Sequence, residues 1–359
     1  MIREMKCVVW LKPEQMSKWD AFVGNHPFGW ISHLSSWKKV LEMSFKHIKG
    51  HFLAIWDDDT NSIVAGLPIY TVRSWLTGSR LVSVPFITHG EALISSPEHM
   101  EMLLPPIFDL YKKTKASYIE LNTWRSTPLI QEPQLQISRF YRHHYITLDR
   151  DPEELKKTFH KSSIQRKISR AIKGELQLKL GEDEKDLCSF YDIFSQTRKR
   201  LGLPPIPYKF FLSFWQVLGS TSLMTVLLVA HRGQYVASSI LLKFGEMVVL
   251  EFNCDTGKFR NLGVNQFCDW EAIKLAYREG YKIFSFGRTS PNNKGLMTHK
   301  ARWGTTVDDF STFFYPGSFG ERSVGNESSW KYRLIAKMSE KAPGALFQIL
   351  GKLVYRHMG

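Results

Sequence analysis

Two stretches of this chain repeat one order of elements, and an internal repeat limits the fold more than any average over composition. Ala54-Ile55-Trp56, a polar turn and Ile63-Val64-Ala65-Gly66 read as a hairpin, and Tyr111-Lys112-Lys113 later leads into the strand Tyr118-Ile119-Glu120. In the second half Leu228-Val229-Ala230, a turn and Tyr235-Val236-Ala237-Ser238 read as the matching hairpin, with Tyr277-Arg278-Glu279 ahead of Ile283-Phe284-Ser285. Residue identity between the halves is slight. The shared order of hairpin, helix and strand predicts two copies of one α/β unit. A length of 359 residues holds two ordinary domains, and 43% hydrophobic with 13% aromatic residues can fill two cores.

Apolar spacing predicts a helix over 30–45, strands at 51–56, 63–70 and 80–86, a helix over 98–115 that Pro105-Pro106 threatens to break, and a strand at 118–121. Asp151 as N-cap, Pro152 at the first helical position and Glu154 three after the cap open a helix expected to run to Lys173 and stop at Gly174. Helices follow over 185–200 and 208–218, around an extended Gly202-Leu203-Pro204-Pro205-Ile206-Pro207. Strands at 223–230, 235–244 and 247–252 are joined by Arg232-Gly233 and Gly245-Glu246, with a helix over 265–278 and a strand at 281–286. The expected architecture is α/β (α+β): tandem domains over 1–150 and 151–320, each a mixed, largely antiparallel sheet flanked by helices, then a helical tail over 321–359.

A formal charge of +14, from 48 Lys+Arg against 34 Asp+Glu, favours partners that carry phosphate or other anions. Cys7, Cys188, Cys254 and Cys268 form no CxxC and show no metal-ligand spacing with His, so neither a zinc site nor a disulfide framework is expected. A reducing cytosol fits best. The opening Met1-Ile2-Arg3-Glu4-Met5-Lys6 reads as no secretory signal, and no apolar run approaches the roughly 18–20 residues of a transmembrane helix. Asn326-Glu327-Ser328 fits a glycosylation sequon, moot in a cytosolic chain.

Four segments can carry chemistry. Arg260-Asn261-Leu262-Gly263-Val264-Asn265 leaves a strand and enters a helix, where unpaired N–H groups suit a pyrophosphate and Gly263 permits close approach. An ordinary loop with Asn265 as N-cap is the other reading. Second, Phe284-Ser285-Phe286-Gly287-Arg288 continues to His299-Lys300-Ala301-Arg302-Trp303-Gly304; Arg288 and Lys300 suit an anion or an oxyanion, or else form a solvated loop anchored by Trp303. Third, Lys156, Lys157, Lys161, Arg166, Lys167, Arg170 and Lys173 line one helix, as an RNA-phosphate or anion surface or simply a solvated face. Fourth, Leu346, Ile349, Leu350, Leu353 and Val354 fall on one helical face and Gln348, Lys352 and Arg356 on another, which suits peripheral contact with an anionic membrane or docking on the domain. Amine acylation also needs a proton acceptor, for which Glu251 and Asp255 are candidates, with Tyr208 as donor or orienter. Strict alternation would turn Glu251 away from Leu250 and Phe252.

The segment with Ser163, Arg166, Ile168, Ala171 and Gly174, then Thr197-Arg198, Gly202, Pro204, Tyr208 and Phe210-Phe211, resembles the Fem-type branch of the GNAT superfamily. So do Asn265, Trp270-Glu271-Ala272-Ile273, Phe286-Gly287-Arg288, Gly295-Leu296, Lys300 and Trp303-Gly304. The loop at 260–265 is similar to the acyl-CoA loop R/Q-x-x-G-x-G/A, with Asn265 where a small residue is usual. The resemblance implies paired GNAT-like domains and transfer of an acyl or aminoacyl group to an amine, with acyl-CoA or aminoacyl-tRNA as donor and no metal. The candidate assignments are then Lys300, Glu251 and Tyr208 as catalytic residues, Arg260, Gly263, Val264 and Asn265 toward the donor, and Arg288, Arg198 and Arg166 toward a phosphate-bearing small molecule or envelope precursor. Of these roles the family itself supplies only that of Lys300, near the substrate phosphates. Cell-envelope or exopolysaccharide biosynthesis is the expected setting, in the cytoplasm or at the inner face of the membrane. The alternative is a catalytically inactive GNAT-like module that binds RNA or a membrane-associated assembly.

Overall fold

In the computed structural model, which describes residues 6–317 and 330–359, each expected hairpin forms the middle of a sheet. The chain divides into two compact units. The first takes the described residues of Met1–Phe140, Asp309–Ser329 and Leu353–Gly359; the second takes Tyr141–Asp308 and Trp330–Lys352. Residues 141–150, placed above with the first domain, thus belong to the second unit.

The first unit orders its strands β1 (Lys6–Trp10), β2 (Ile48–Asp57), β3 (Ser62–Ser74), β4 (Gly78–Val82), β5 (Ala116–Thr123) and β12 (Thr306–Tyr315). Each neighbouring pair is antiparallel except β4–β5. The parallel step needs a crossover, and helix α3 (Pro97–Thr114) supplies it. Pro105 and Pro106 do not break α3. Pro105 lies on its exposed side, while Met100, Leu103, Leu104 and Ile107 are buried. Helices α1 (Met16–Asn25) and α2 (Ser35–Ser44) precede β2. The expected helix over 30–45 is interrupted at Leu34, whose extended backbone (ψ 151°) lets Asp20 of α1 accept from the N–H and hydroxyl of Ser35.

The second unit repeats the plan with β7 (Gln177–Leu180), β8 (Met224–His231), β9 (Gln234–Phe244), β10 (Met247–Asp255), β11 (Ile283–Thr289) and β6 (Gln136–Thr147). Again one step is parallel, β10–β11, crossed by α8 (Val264–Arg278). The strand that follows β5 in sequence, β6, pairs with β11, and the strand that follows β11, β12, pairs with β5. The core of this unit gathers Leu241, Val248, Trp270, Ile273, Phe284 and Trp303.

The expected helix over 151–173 is three pieces: α4 (Pro152–Lys157), a π turn over Lys161–Gln165, and α5 (Arg166–Lys173). Asp151 caps α4 by accepting from Glu153 N–H, and α5 ends at Gly174. The break comes from Phe159, buried edge-on against Trp270 and Trp303; the chain turns inward there, and His160 Nδ1 accepts from Ser163 N–H to restart it. Helices α6 (Glu184–Arg200) and α7 (Tyr208–Leu218) form as the spacing predicts, and α9 (Lys294–Ala301) follows β11. Beyond residue 329 come α10 (Trp330–Lys341) and α11 (Gly344–Tyr355). On α11, Phe347, Gly351 and Tyr355 turn inward, while Leu346, Ile349 and Leu353 are exposed beside Lys352 and Arg356. The sequon at Asn326 lies outside the described residues.

The turn between β8 and β9 places Arg232 at φ 48° and Gly233 at φ 76°, both left-handed. A Cβ at Gly233 would meet no atom within 4 Å, and the same holds at Gly24 in α1, where φ is ordinary. Backbone preference therefore decides both sites. Gly233→Ala is expected to lower stability by about 1 kcal/mol, and Gly24→Ala to raise it by about 0.5–1 kcal/mol. Equal thermal-denaturation shifts for the two variants would contradict this account.

Candidate active site

The site of the second unit starts from an irregularity in β11. Its pairing with β6 skips register between Ser285 and Arg288, and Gly287 takes φ 70°, a conformation that favours glycine. Ser285 Oγ accepts from Gly287 N–H at 3.0 Å and lies 2.7 Å from His143 Nε2 on β6, which pins the bulge. The bulge turns consecutive carbonyls to one side. Lys300, on α9, donates from Nζ to the carbonyls of Phe286, Gly287 (3.1 Å) and Arg288 (3.3 Å). Just beyond α9, Trp303 is fully buried against Phe286 and Phe159, which holds the helix end and the lysine in place.

Lys300 is only 7% exposed. Burial pushes its pKa down to about 7, against the pull of Glu251 and Asp269. Asp269, on α8, is fully enclosed; burial pushes its carboxyl up to about 7, opposed by the Asn253 amide that donates to it and by Lys300. Both groups are thus shifted toward neutrality, each chiefly by burial. His144 sits at the same charge: burial, then Lys300, lowers its pKa to about 4. Its Nδ1 lies 3.2 Å from Thr305 Oγ1. His299 is lowered by burial and then by Lys167, Lys300 and Arg302. Strict alternation does not hold at Glu251, because β10 slips register against β9 between Leu250 and Phe252. Glu251 is half-buried there and faces the ammonium. One ammonium with two carboxylates can hold developing negative charge and take up a proton.

The loop at 260–265 is built differently from the sequence expectation. Arg260–Leu262 is a short 3₁₀ turn, Gly263 stands at φ 81°, and α8 begins at Val264, so Gly263 and not Asn265 is the N-cap. A Cβ at Gly263 would come within 2.8 Å of the Lys167 carbonyl, so the close backbone approach here is to α5. Arg260 and Asn265 both donate to the carboxylate of Asp255, which also accepts from Gly257 N–H and pairs with Arg200 at 3.1 Å. Burial alone would raise Asp255; Asn265, Arg260 and Arg200 more than offset it and hold the carboxyl below its ordinary range.

Beside this loop, α5 and the π turn form an open groove of about 360 Å³ lined by Lys161, Gln165, Arg166, Ser169, Arg170 and Lys173. Arg170 also donates to the Asn261 carbonyl. The remaining candidates sit elsewhere. Arg198 donates twice to the Pro204 carbonyl, and the Arg288 guanidinium lies 4.5 Å over the Tyr141 ring. Tyr208 faces Cys188 (3.1 Å) and Glu184, with its pKa raised by burial and then by the neighbouring thiol. Lys300 and Glu251 are thus brought together, joined by Asp269 and His144, which sequence reasoning missed. Asp269 had one signal, an acid between Phe267-Cys268 and Trp270 in an otherwise buried run. Among the described residues no group of three or more His, Cys, Asp or Glu side chains is arranged to hold a metal ion.

Residues 158–300, which hold the groove, the loop and Lys300, match the family model described as acetyltransferase (GNAT) domain. This segment is a GNAT domain. Solved structures extend the likeness of fold across both units. FemX aligns with TM-score 0.69 at 14% identity, over 88% of this chain and 99% of that one. The C-terminal domain of a putative lysylphosphatidylglycerol synthetase from Agrobacterium fabrum aligns with TM-score 0.57 at 11% identity, over 87% and 95%. A tandem GNAT protein from the clavulanic acid biosynthesis pathway aligns with TM-score 0.52 at 11%, over 86% and 98%. The chain therefore has the tandem GNAT-like fold. No curated protein matches the sequence.

Asp269 gives the GNAT domain a testable pH signature. Its folded pKa lies above the unfolded value, so its contribution to stability is present at acid pH and is lost as pH rises toward about 7. Asp269→Asn keeps an acceptor for Asn253 and removes that loss. The Tm of the variant minus that of the native chain should therefore be more positive at pH 8 than at pH 5. A difference that is the same at both values would show that Asp269 does not carry the raised pKa.

Proposed function

We propose that this chain transfers an acyl or aminoacyl group from a phosphate-bearing donor to an amine, with the chemistry at Lys300, Glu251 and Asp269. The observation that carries the reading is the buried ammonium that donates to three carbonyls under the charge of Glu251 and Asp269, inside the segment that matches the GNAT model. The amine nitrogen attacks the acyl carbonyl carbon and its proton passes to Glu251. The oxyanion forms beside Lys300, its collapse breaks the bond to the donor sulfur or oxygen, and the proton held by Glu251 passes to that leaving atom, which departs as the thiol or hydroxyl. Asp269, buried behind Lys300, holds the ammonium in register and in charge. Lys161, Arg166, Arg170 and Lys173 supply the phosphate contacts for the donor, next to the start of α8. Arg288 and Arg198 are assigned to the acceptor side and Tyr208 to orientation.

Acyl-CoA is the first donor on this reading, because α8 starts at the GNAT-type loop. Aminoacyl-tRNA is the second, and a specific observation favours it: Arg260 and Asn265 are engaged by Asp255. A phosphate-bearing acceptor in envelope or exopolysaccharide synthesis fits the basic surface, and the lysylphosphatidylglycerol named for one similar structure is itself a phosphate-bearing lipid. The exposed Leu346, Ile349 and Leu353 of α11, edged by Lys352 and Arg356, suit contact with an anionic membrane surface. Among the described residues no helix is long and apolar enough to cross a membrane.

A thermal-shift screen against acetyl-CoA, longer acyl-CoAs and aminoacyl-tRNA identifies the donor, since a ligand selective for the folded chain raises its Tm. With that donor, Lys300→Ala should lower kcat by about 100- to 1,000-fold, the scale of losing one oxyanion contact. Arg166→Glu with Lys173→Glu should instead raise the KM for the donor. Because Lys300 sheds its proton above about pH 7, kcat should fall on the alkaline side, and Lys300→Arg should move that fall to higher pH. Undiminished kcat in Lys300→Ala would remove Lys300 from the chemistry, and a thermal shift without turnover by the native chain would leave a binding module as the function.

A further inference from the structure

The first unit carries a second concentration of charge that the transfer reading does not use. β2 and β3 run antiparallel with Lys49 opposite Thr71, and alternation turns His47, Lys49 and His51 to the same face as α3. The last turns of α3 close this face, and a cleft of about 720 Å³ lies between them. Lys46, Lys49, Arg73 and Lys113 converge on it from the α2–β2 turn, β2, the end of β3 and α3. All four are exposed, none has a side-chain hydrogen bond or ion-pair partner among the described residues, and the wall holds one carboxylate, Asp109.

Like charges brought together without counter-charge repel, so the cleft carries a standing attraction for a polyanion. One histidine reports that field. His51 is driven well below its ordinary pKa by burial, with Lys49, Lys38, Arg73 and Lys113 adding to the shift. The rim holds an aromatic as well. Trp10, on the edge strand β1, is 38% exposed and meets the His51 ring edge-on at 5.9 Å. Cations spaced along a concave wall beside an open indole suit a chain of phosphates attached to a planar base.

We propose that this cleft of the first unit binds nucleotide phosphates, with Lys46, Lys49, Arg73 and Lys113 on the phosphates and Trp10 stacking a base. The two sources of that chemistry are a free nucleoside polyphosphate and a single strand of RNA. The experiment is fluorescence anisotropy of the full chain with a labelled 12-residue uridine oligonucleotide, competed with ATP and with inorganic tripolyphosphate, over a salt series. Three or four phosphate contacts predict a slope of log affinity against log salt of about −2 to −3. Lys46→Glu, Lys49→Glu and Lys113→Glu together should weaken binding at least tenfold. Trp10→Ala should weaken oligonucleotide and ATP binding about five- to tenfold while leaving tripolyphosphate competition unchanged. Displacement by micromolar ATP would assign the site to free nucleotides, and resistance to ATP would assign it to a strand. The α5 variant Arg166→Glu with Lys173→Glu separates this site from the donor groove. Binding that survives the triple reversal but is lost in the α5 variant overturns the proposal and leaves the transfer reading untouched. No binding at 50 mM salt, by a chain whose Tm is unchanged, also overturns it.

Discussion

An ammonium group moved out of water into a protein interior loses several kcal/mol of hydration, and it stays charged only if the interior supplies acceptors in the right places. Lys300 meets that demand with three main-chain carbonyls that a regular strand would point elsewhere. The β11 bulge exists at the point where those carbonyls are needed, Gly287 supplies the backbone conformation, and Ser285 with His143 secures it. Glu251 and Asp269 then supply the negative charge. Removing any one part leaves a buried charge without compensation. The geometry of α8, β11 and α9 around this point is therefore mutually dependent.

The first unit uses the same order of strands and the same single parallel step without this device. None of its described lysines is buried. The buried Arg80 guanidinium there donates to the carbonyls of His357 and Gly359. His33 bonds to the Glu91 carbonyl and accepts from Trp30 N–H, and burial raises the Glu91 carboxyl, which accepts from Ser126 N–H. One topology thus holds two kinds of interior: a structural polar cluster in the first unit and a charged, titrating one in the second. The topology alone cannot distinguish them; the side chains at the parallel step do.

What the sequence made legible was local. Arg232-Gly233, the Asp151 cap, the stop at Gly174 and the apolar stripe of 208–218 each encode their element within a few residues, and all appear as expected. The order of hairpin, helix and strand gave the doubling of the fold. What could not be read depended on partners far away in sequence. Phe159 breaks its helix because Trp270 and Trp303, more than a hundred residues on, bury it. Glu251 acts on the Lys300 ammonium from a point where β10 slips register against β9 and strict alternation lapses. The charged cluster was half legible, since Lys300 and Glu251 each stood out by type, whereas Asp269 and His144 gain meaning only once α8 and β6 are packed beside α9. Strands β6 and β12 were missed altogether, as each pairs with a strand remote in sequence.

The loop at 260–265 shows how a motif can be present and still be engaged. A pyrophosphate at the start of α8 would draw on the Arg260 guanidinium, the Asn265 amide and the positive end of the helix. Asp255 already collects both side chains, together with Arg200 and the Gly257 N–H. A carboxylate is a fair mimic of a phosphate oxygen pair, and the depressed pKa of Asp255 shows how well it is held. Any donor that binds through these side chains must first displace that anion, which lowers its affinity by the strength of the internal contacts. The cations of α5 carry no such burden: in that groove Lys161, Arg166 and Lys173 have no carboxylate partner among the described residues. On the proposed function the phosphates of the donor would therefore be met first by the α5 face, where the cations are not already engaged by a carboxylate.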